Sequence, residues 1–196
     1  MQVYRGLDDS ILLSRPVVAV GSFDGVHLGH CQILRYLVAY AREHSMQSVV
    51  VTFDPHPQQL LRPGSDFFVI NSLERNLELI EAQGVDATVV IPFTEEFSKL
   101  SYTEFVEQYL IDRLHVSAIV MGPNHAMGHN RAGSHDLLKQ LCGQSGIDVV
   151  EIPELMLREI GVHSSKIRHA IREGDAEHAS ELLGYPYNIE QQKNNG

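Results

Sequence analysis

Short β-branched runs alternate with helical stripes along this sequence, and few folds accept that alternation. Val17-Val18-Ala19-Val20-Gly21 is an apolar run closing on a glycine, the pattern of a strand buried on both faces. Gln47–Phe53, Asp86–Pro92 and Val116–Gly122 repeat it, and Ile147–Ile152 is a weaker copy. Between them, Ile33, Leu34, Leu37, Val38 and Ala41 mark one face of a helix, as do Leu73, Leu77 and Ile80. Phe105, Val106, Tyr109, Leu110 and Leu114 form a third stripe, and Leu137, Leu138, Leu141 and Cys142 a shorter one. Strands and helices in that order predict βαβ units: one α/β domain with a parallel sheet covered by helices on both faces. In such sheets ligands bind beyond the carboxyl ends of the strands, so the loops following strands are where chemistry is expected.

Composition narrows the partners. The 196 residues carry a net charge of −10, a poor match for a nucleic-acid backbone, which needs a basic face. No run reaches the ~18 apolar residues of a membrane span. Met1–Gly6 lacks the basic-then-apolar pattern of a secretory leader. Two cysteines, Cys31 and Cys142, in a chain of this size point to reduced thiols and a cytoplasmic setting.

Four loops hold the polar residues of interest. The first, Gly21-Ser22-Phe23-Asp24-Gly25-Val26-His27-Leu28-Gly29-His30, runs from a strand into a helix start, where glycines allow close approach and free N–H groups favour a phosphate. His27 and His30 could stabilise charge on a phosphoryl group; a helix cap or half of a metal site is the plainer reading. The second, Thr52-Phe53-Asp54-Pro55-His56-Pro57, reads as a stiff extended rim or a simple turn. The third, Gly122–Ser134, is long and polar, and its His125 and His129 with nearby His135 leave a zinc reading open beside that of an active-site loop. In the fourth, Val162–Ile171, Ser164 or Ser165 is a natural helix N-cap; Lys166 and Arg168 then fall in the first turn, which suits an anion such as a triphosphate.

Together these loops resemble the FAD synthetase (FMN adenylyltransferase) module of bacterial riboflavin kinase/FAD synthetases, within the His-x-Gly-His nucleotidyltransferases. The resemblance runs from about Arg5 to Tyr187 and includes Pro92–Ser101 with Glu104-Phe105-Val106. It implies a single Rossmann-like nucleotidyltransferase domain over residues 1–187, with a polar tail at 188–196. It also implies a reaction in which the FMN phosphate attacks the α-phosphorus of ATP, giving FAD and pyrophosphate with Mg²⁺ held mainly by phosphates rather than protein ligands. By the same resemblance His27, His30 and Arg168 are catalytic; Gly21, Phe23, Gly29, Asn124, Ser164 and Ser165 bind ATP; and Asp24, Phe53, Pro55 and Pro57 line the flavin.

The sequence departs from the family in places. Ser22 stands for a usual Asn, His125 and Met127 for third-loop aromatics, and His163, Ser165 and Lys166 for Ser, Thr and Arg. Family chains continue beyond Leu182–Tyr187 into a β-barrel riboflavin kinase module, whereas this sequence stops about nine residues later. The expectation is therefore no kinase activity and dependence on FMN from a separate riboflavin kinase, or a sequence cut from a longer chain. The competing readings are a His-x-Gly-His enzyme with another phosphate acceptor, a non-catalytic flavin- or nucleotide-binding paralogue, and a His-rich metal-binding protein.

Overall fold

A computed structural model describes residues 1–7, 12–122, 135–153 and 161–188. Among these, six strands form one sheet: β1 (Gln2–Arg5), β2 (Pro16–Val20), β3 (Gln47–Asp54), β4 (Ala87–Pro92), β5 (Ala118–Met121) and β6 (Asp148–Glu151). Their order is β1-β4-β3-β2-β5-β6, and every pairing is parallel. The four expected buried strands and the weaker fifth are all present. The addition is β1, a four-residue edge strand whose mostly exposed pattern carries no apolar run to mark it.

Side-chain alternation splits the sheet into two apolar layers. Val18, Val20, Val49, Val51, Ala87, Val89 and Ile91 face one side. They pack under α5 (Tyr102–Phe105), its continuation Val106–Ile111, and α6 (His135–Gln144). Val17, Ala19, Val50, Ala118 and Val120 face the other side, under α1 (Leu28–Glu43) and the end of α3 (Leu73–Glu81). The third apolar stripe is therefore helical as expected, but Val106–Ile111 winds as a wider π-type turn that places Val106 and Leu110 in the core. A Ser101–Glu104 capping box fixes its start. Short helices α2 (Pro57–Leu61) and α4 (Glu95–Ser98) lie on the rim of the sheet.

The last helices, α7 (Ser164–Arg172) and α8 (Ala176–Leu183), do not join either layer. Their apolar residues Ile167, Ala170, Ile171, Ala179 and Leu183 enclose Ile70 in a third, smaller core. That satellite core brings α7 and α8 beside the first loop. The polar tail from 189 onward lies outside the described residues.

Leu34, on α1, is fully buried against the sheet. Leu34→Ala is expected to lower the unfolding free energy by about 2–5 kcal/mol in urea denaturation, whereas Glu43→Ala, exposed on the same helix, changes it by less than about 0.5 kcal/mol.

Candidate active site

Strand order reverses at β2, which has β3 on one side and β5 on the other, and in sheets of this kind the place beyond Val20 and Met121 is where a ligand crevice is expected. The first loop lines it. Gly21 N–H continues the ladder to the Val51 carbonyl (3.0 Å), and a Cβ at Gly21 would press on the Phe23 ring at 3.2 Å. The chain then turns sharply: Phe23 (φ 45°), Gly25 (φ 78°) and Val26 (φ 37°) all adopt left-handed backbone angles. For the two non-glycine residues this costs on the order of 1–3 kcal/mol each, which surrounding contacts must offset.

The turn delivers His27 as the N-cap of α1. Its Nδ1 accepts the His30 N–H at 3.3 Å, so the proton of the neutral ring resides on Nε2. The cap reading of His27 thus holds: Nδ1 caps the helix, and the ring proton sits on Nε2. The His30 ring stacks on it with centroids 3.7 Å apart and an interplanar angle of 15°. Gly29 makes room for this pair, since a Cβ there would lie 3.1 Å from His27 Cε1 and 3.4 Å from the Val162 carbonyl oxygen. The protein's own packing around the His27 ring therefore already requires a glycine here.

Both rings are held neutral. Burial first, then the charges of His163 and Arg168, lower the His27 pKa to about 4. Burial, with His27 and Arg168, takes His30 well below the ordinary imidazole value. His30 Nδ1 is shut off from solvent with no hydrogen-bond partner among the described residues. A neutral ring with its proton on Nε2 leaves only a lone pair orphaned there.

Asp24 and Arg168 form a buried ion pair, with side-chain exposures of 3% and 10%. Asp24 Oδ1 and Oδ2 also accept the Ile70 N–H at 2.9 and 3.1 Å, and Oδ1 accepts that of Asn71 at 3.4 Å. Arg168 Nε donates to the Phe68 carbonyl at 2.8 Å, and its guanidinium lies 4.4 Å above the Phe67 ring. The Asp24 carboxylate is thus occupied by protein partners, Arg168 foremost.

The fourth segment also differs from expectation. The N-cap of α7 is His163, without a side-chain cap bond, and Ser164 and Ser165 are its first two residues. Ser164 Oγ reaches the Asp24 carbonyl at 3.5 Å. Lys166 turns away to the Gly161 carbonyl at 2.8 Å, and Arg168 lies beyond the first turn.

In the second loop, Pro57 is not part of an extended rim. It is the first residue of α2, behind a capping box made by His56 and Gln59. The His56 ring packs on Phe67 at 4.7 Å, and burial together with the Arg168 charge lowers its pKa to about 4. Phe53 turns into an aromatic cluster with Phe93, Phe97 and Phe105, at 5.8, 5.7 and 6.3 Å, and Pro55 is exposed. Asn124, His125 and Met127, with the rest of the third loop, lie outside the described residues, so the zinc reading there does too. Among the described residues no three His, Cys, Asp or Glu side chains converge in a metal-binding group, and no helix is long and apolar enough to cross a membrane.

Sequence reasoning missed Asn71, Asn76 and Tyr185, which gather around the first loop. A trace of them was available: two asparagines flank an apolar-periodic helix start, and Phe67-Phe68-Val69-Ile70 is a short apolar run outside the predicted strands.

The fold is that of an α/β protein with a parallel, Rossmann-like sheet. Residues 11–166 match the FAD synthetase family, and the chain belongs to that family. It is 38% identical over 87% of its length to a bifunctional riboflavin kinase/FMN adenylyltransferase of Listeria monocytogenes, covering 54% of that protein. A FAD synthetase of the same organism is 31% identical, with 88% of this chain matched to 70% of it. The crystal structure of a macrolide-efflux protein from Streptococcus pneumoniae superposes with a TM-score of 0.82 at 27% identity, over 95% of this chain and 61% of that one. The chain spans between 54% and 62% of the length of its bifunctional relatives from Buchnera, Listeria, Bacillus, Pseudomonas and Haemophilus.

Because His27 titrates lower folded than unfolded, the unfolded chain binds the proton first. Stability should therefore fall as pH drops from about 6.5 toward 4, by on the order of 3 kcal/mol from this ring. Denaturation across that pH range should show a shallower slope for His27→Gln than for the parent.

Proposed function

We propose that this chain transfers AMP from ATP to the phosphate of FMN, forming FAD and pyrophosphate. The observation that carries this is the neutral, stacked His27–His30 pair at the N-terminus of α1, beside the guanidinium of Arg168, in a chain of the FAD synthetase family. An oxygen of the FMN phosphate bonds to the α-phosphorus while the bond from that phosphorus to the β-bridging oxygen breaks, and the electron pair leaves with pyrophosphate. The attacking phosphate is already anionic, so no base is needed. What the protein supplies is fixed positive potential: an Nε2–H from each neutral imidazole, the α1 dipole and the Arg168 charge, all ready before the charge develops.

Neutral donors suit this task, since they bind the α-phosphoryl oxygens without first giving up a solvation shell of their own. The uncapped first turn of α7, with the Ser164 and Ser165 hydroxyls, is the proposed seat of the β- and γ-phosphates, and Gly21, Phe23 and Asn124 of the adenosine. Phe53, Pro55 and Pro57 are the proposed apolar border of the flavin. Mg²⁺, held mainly by phosphate oxygens and water, would neutralise phosphate charge. The FMN consumed is the product of riboflavin phosphorylation by a riboflavin kinase, a function named together with the adenylyltransferase in the bifunctional relatives. A cytoplasmic setting with reduced thiols is part of this proposal, for a sequence with only two cysteines.

Incubation with FMN, ATP and Mg²⁺, followed by chromatography, should yield FAD and pyrophosphate in equal amounts. His30→Ala should lower kcat at least about 100-fold, the scale of losing one pre-placed donor. FMN binding without any FAD would instead favour a non-catalytic flavin-binding protein, and turnover with a different phosphate acceptor would reassign the substrate.

A further inference from the structure

The peptide of Gly25, two residues before His27, is gripped on both sides. Its N–H donates to Asn76 Oδ1 at 3.1 Å, and its carbonyl accepts the Tyr185 hydroxyl at 2.6 Å. Asn71 closes the circuit, donating one amide hydrogen to Asn76 Oδ1 at 3.2 Å and the other to Tyr185 Oη at 2.8 Å. Every donor and acceptor in this ring is used once or twice in keeping with its chemistry: the single Tyr185 proton goes to Gly25, and both Asn71 hydrogens are spent. Asn71 and Asn76 are each 8% exposed, so the ring operates largely out of water, where a missing partner is costly. It also closes around the strained stretch of the loop, with Gly25 at φ 78° and Val26 at φ 37°.

We propose that Tyr185 is a positioning residue for the His27–His30 pair, acting through the Gly25 peptide. Its ring bears on chain folded far from the crevice: Tyr185 follows α8 and lies 160 residues from Gly25. Asn71 links the same ring to the Asp24 carboxylate through its backbone N–H. The hydroxyl thereby ties the end of the nucleotidyltransferase chain to the turn that aims the histidines. This inference rests on the adenylyl-transfer reading for its kinetic consequence, but the positioning itself is visible without turnover.

The test is Tyr185→Phe, which keeps the ring and removes the one hydroxyl. Its control is Ser180→Ala, which removes the hydroxyl that donates to the Ala176 carbonyl (2.7 Å) and accepts from Tyr187 N–H (2.9 Å), a loss of the same kind in the same segment but remote from Gly25. The expected result is that Tyr185→Phe lowers kcat about tenfold, the scale of one hydrogen bond lost from the aligned state, with KM for ATP within about twofold. In the ligand-free protein, the His27 and His30 ring proton resonances should shift in Tyr185→Phe and not in Ser180→Ala. Unchanged kcat and resonances in Tyr185→Phe overturn the proposal, as do equal losses in both variants, which would mark a purely structural role. If the parent makes no FAD but the resonances shift only in Tyr185→Phe, the positioning stands and the reaction is the part that fails.

Discussion

Asp24 and Arg168 lie 144 residues apart in the chain, yet their side chains meet at the mouth of the sheet, buried from solvent. Few groups pack together at such an energetic risk. A carboxylate or guanidinium left alone there would face a desolvation penalty of several kcal/mol, so each is stable only because the other is present with its hydrogen bonds filled. Asp24 belongs to the first loop, Arg168 to α7, and the backbone of residues 68–71 supplies the remaining partners. Three segments remote in sequence are therefore locked at one point, and the histidine pair, α7 and the satellite core inherit their placement from it. Whether a well-packed apolar pair could hold the same segments is a separate matter; what the charges add is the positive face of Arg168 beside the rings.

The electrostatics follow from this placement. Burial above all disfavours imidazolium at both rings, with His163 and then Arg168 adding to it at His27, and His27 and then Arg168 at His30. The first loop thus rests with two neutral imidazoles near one buried guanidinium. Phosphate binding would work in the opposite direction, favouring protonation of the same rings, so nucleotide affinity and histidine basicity are linked in sign.

Strand and helix periodicity made the sheet readable in advance, because buried parallel strands leave continuous apolar runs such as Val17–Val20 and Gln47–Phe53. The edge strand Gln2–Arg5 left none, having water on most of its side chains. At the site, the His27 and His30 spacing after a strand and the basic helix start at Lys166 and Arg168 could be read as anion-binding, the catalytic roles following only from the family resemblance. Their internal arrangement could not. That Asp24 faces inward depends on Ile70 and Asn71 arriving beside it, and that Gly29 is small depends on the His27 ring lying across it. Pro57 begins a helix because His56 caps it, a local pattern that two nearby prolines obscured. Tyr185 escaped notice for the same reason as Asn71 and Asn76: each is an ordinary residue whose role exists only once distant segments close on Gly25.

A double-mutant cycle on Asp24→Asn and Arg168→Met, followed by chemical denaturation, addresses the central claim that one buried pair holds the site together. The account predicts that each single change costs about 3–5 kcal/mol and that the double costs no more than the worse single, giving a coupling on the order of 3 kcal/mol. Single effects that simply add, with a coupling below about 0.5 kcal/mol, would contradict it and leave the loop and α7 held by packing alone.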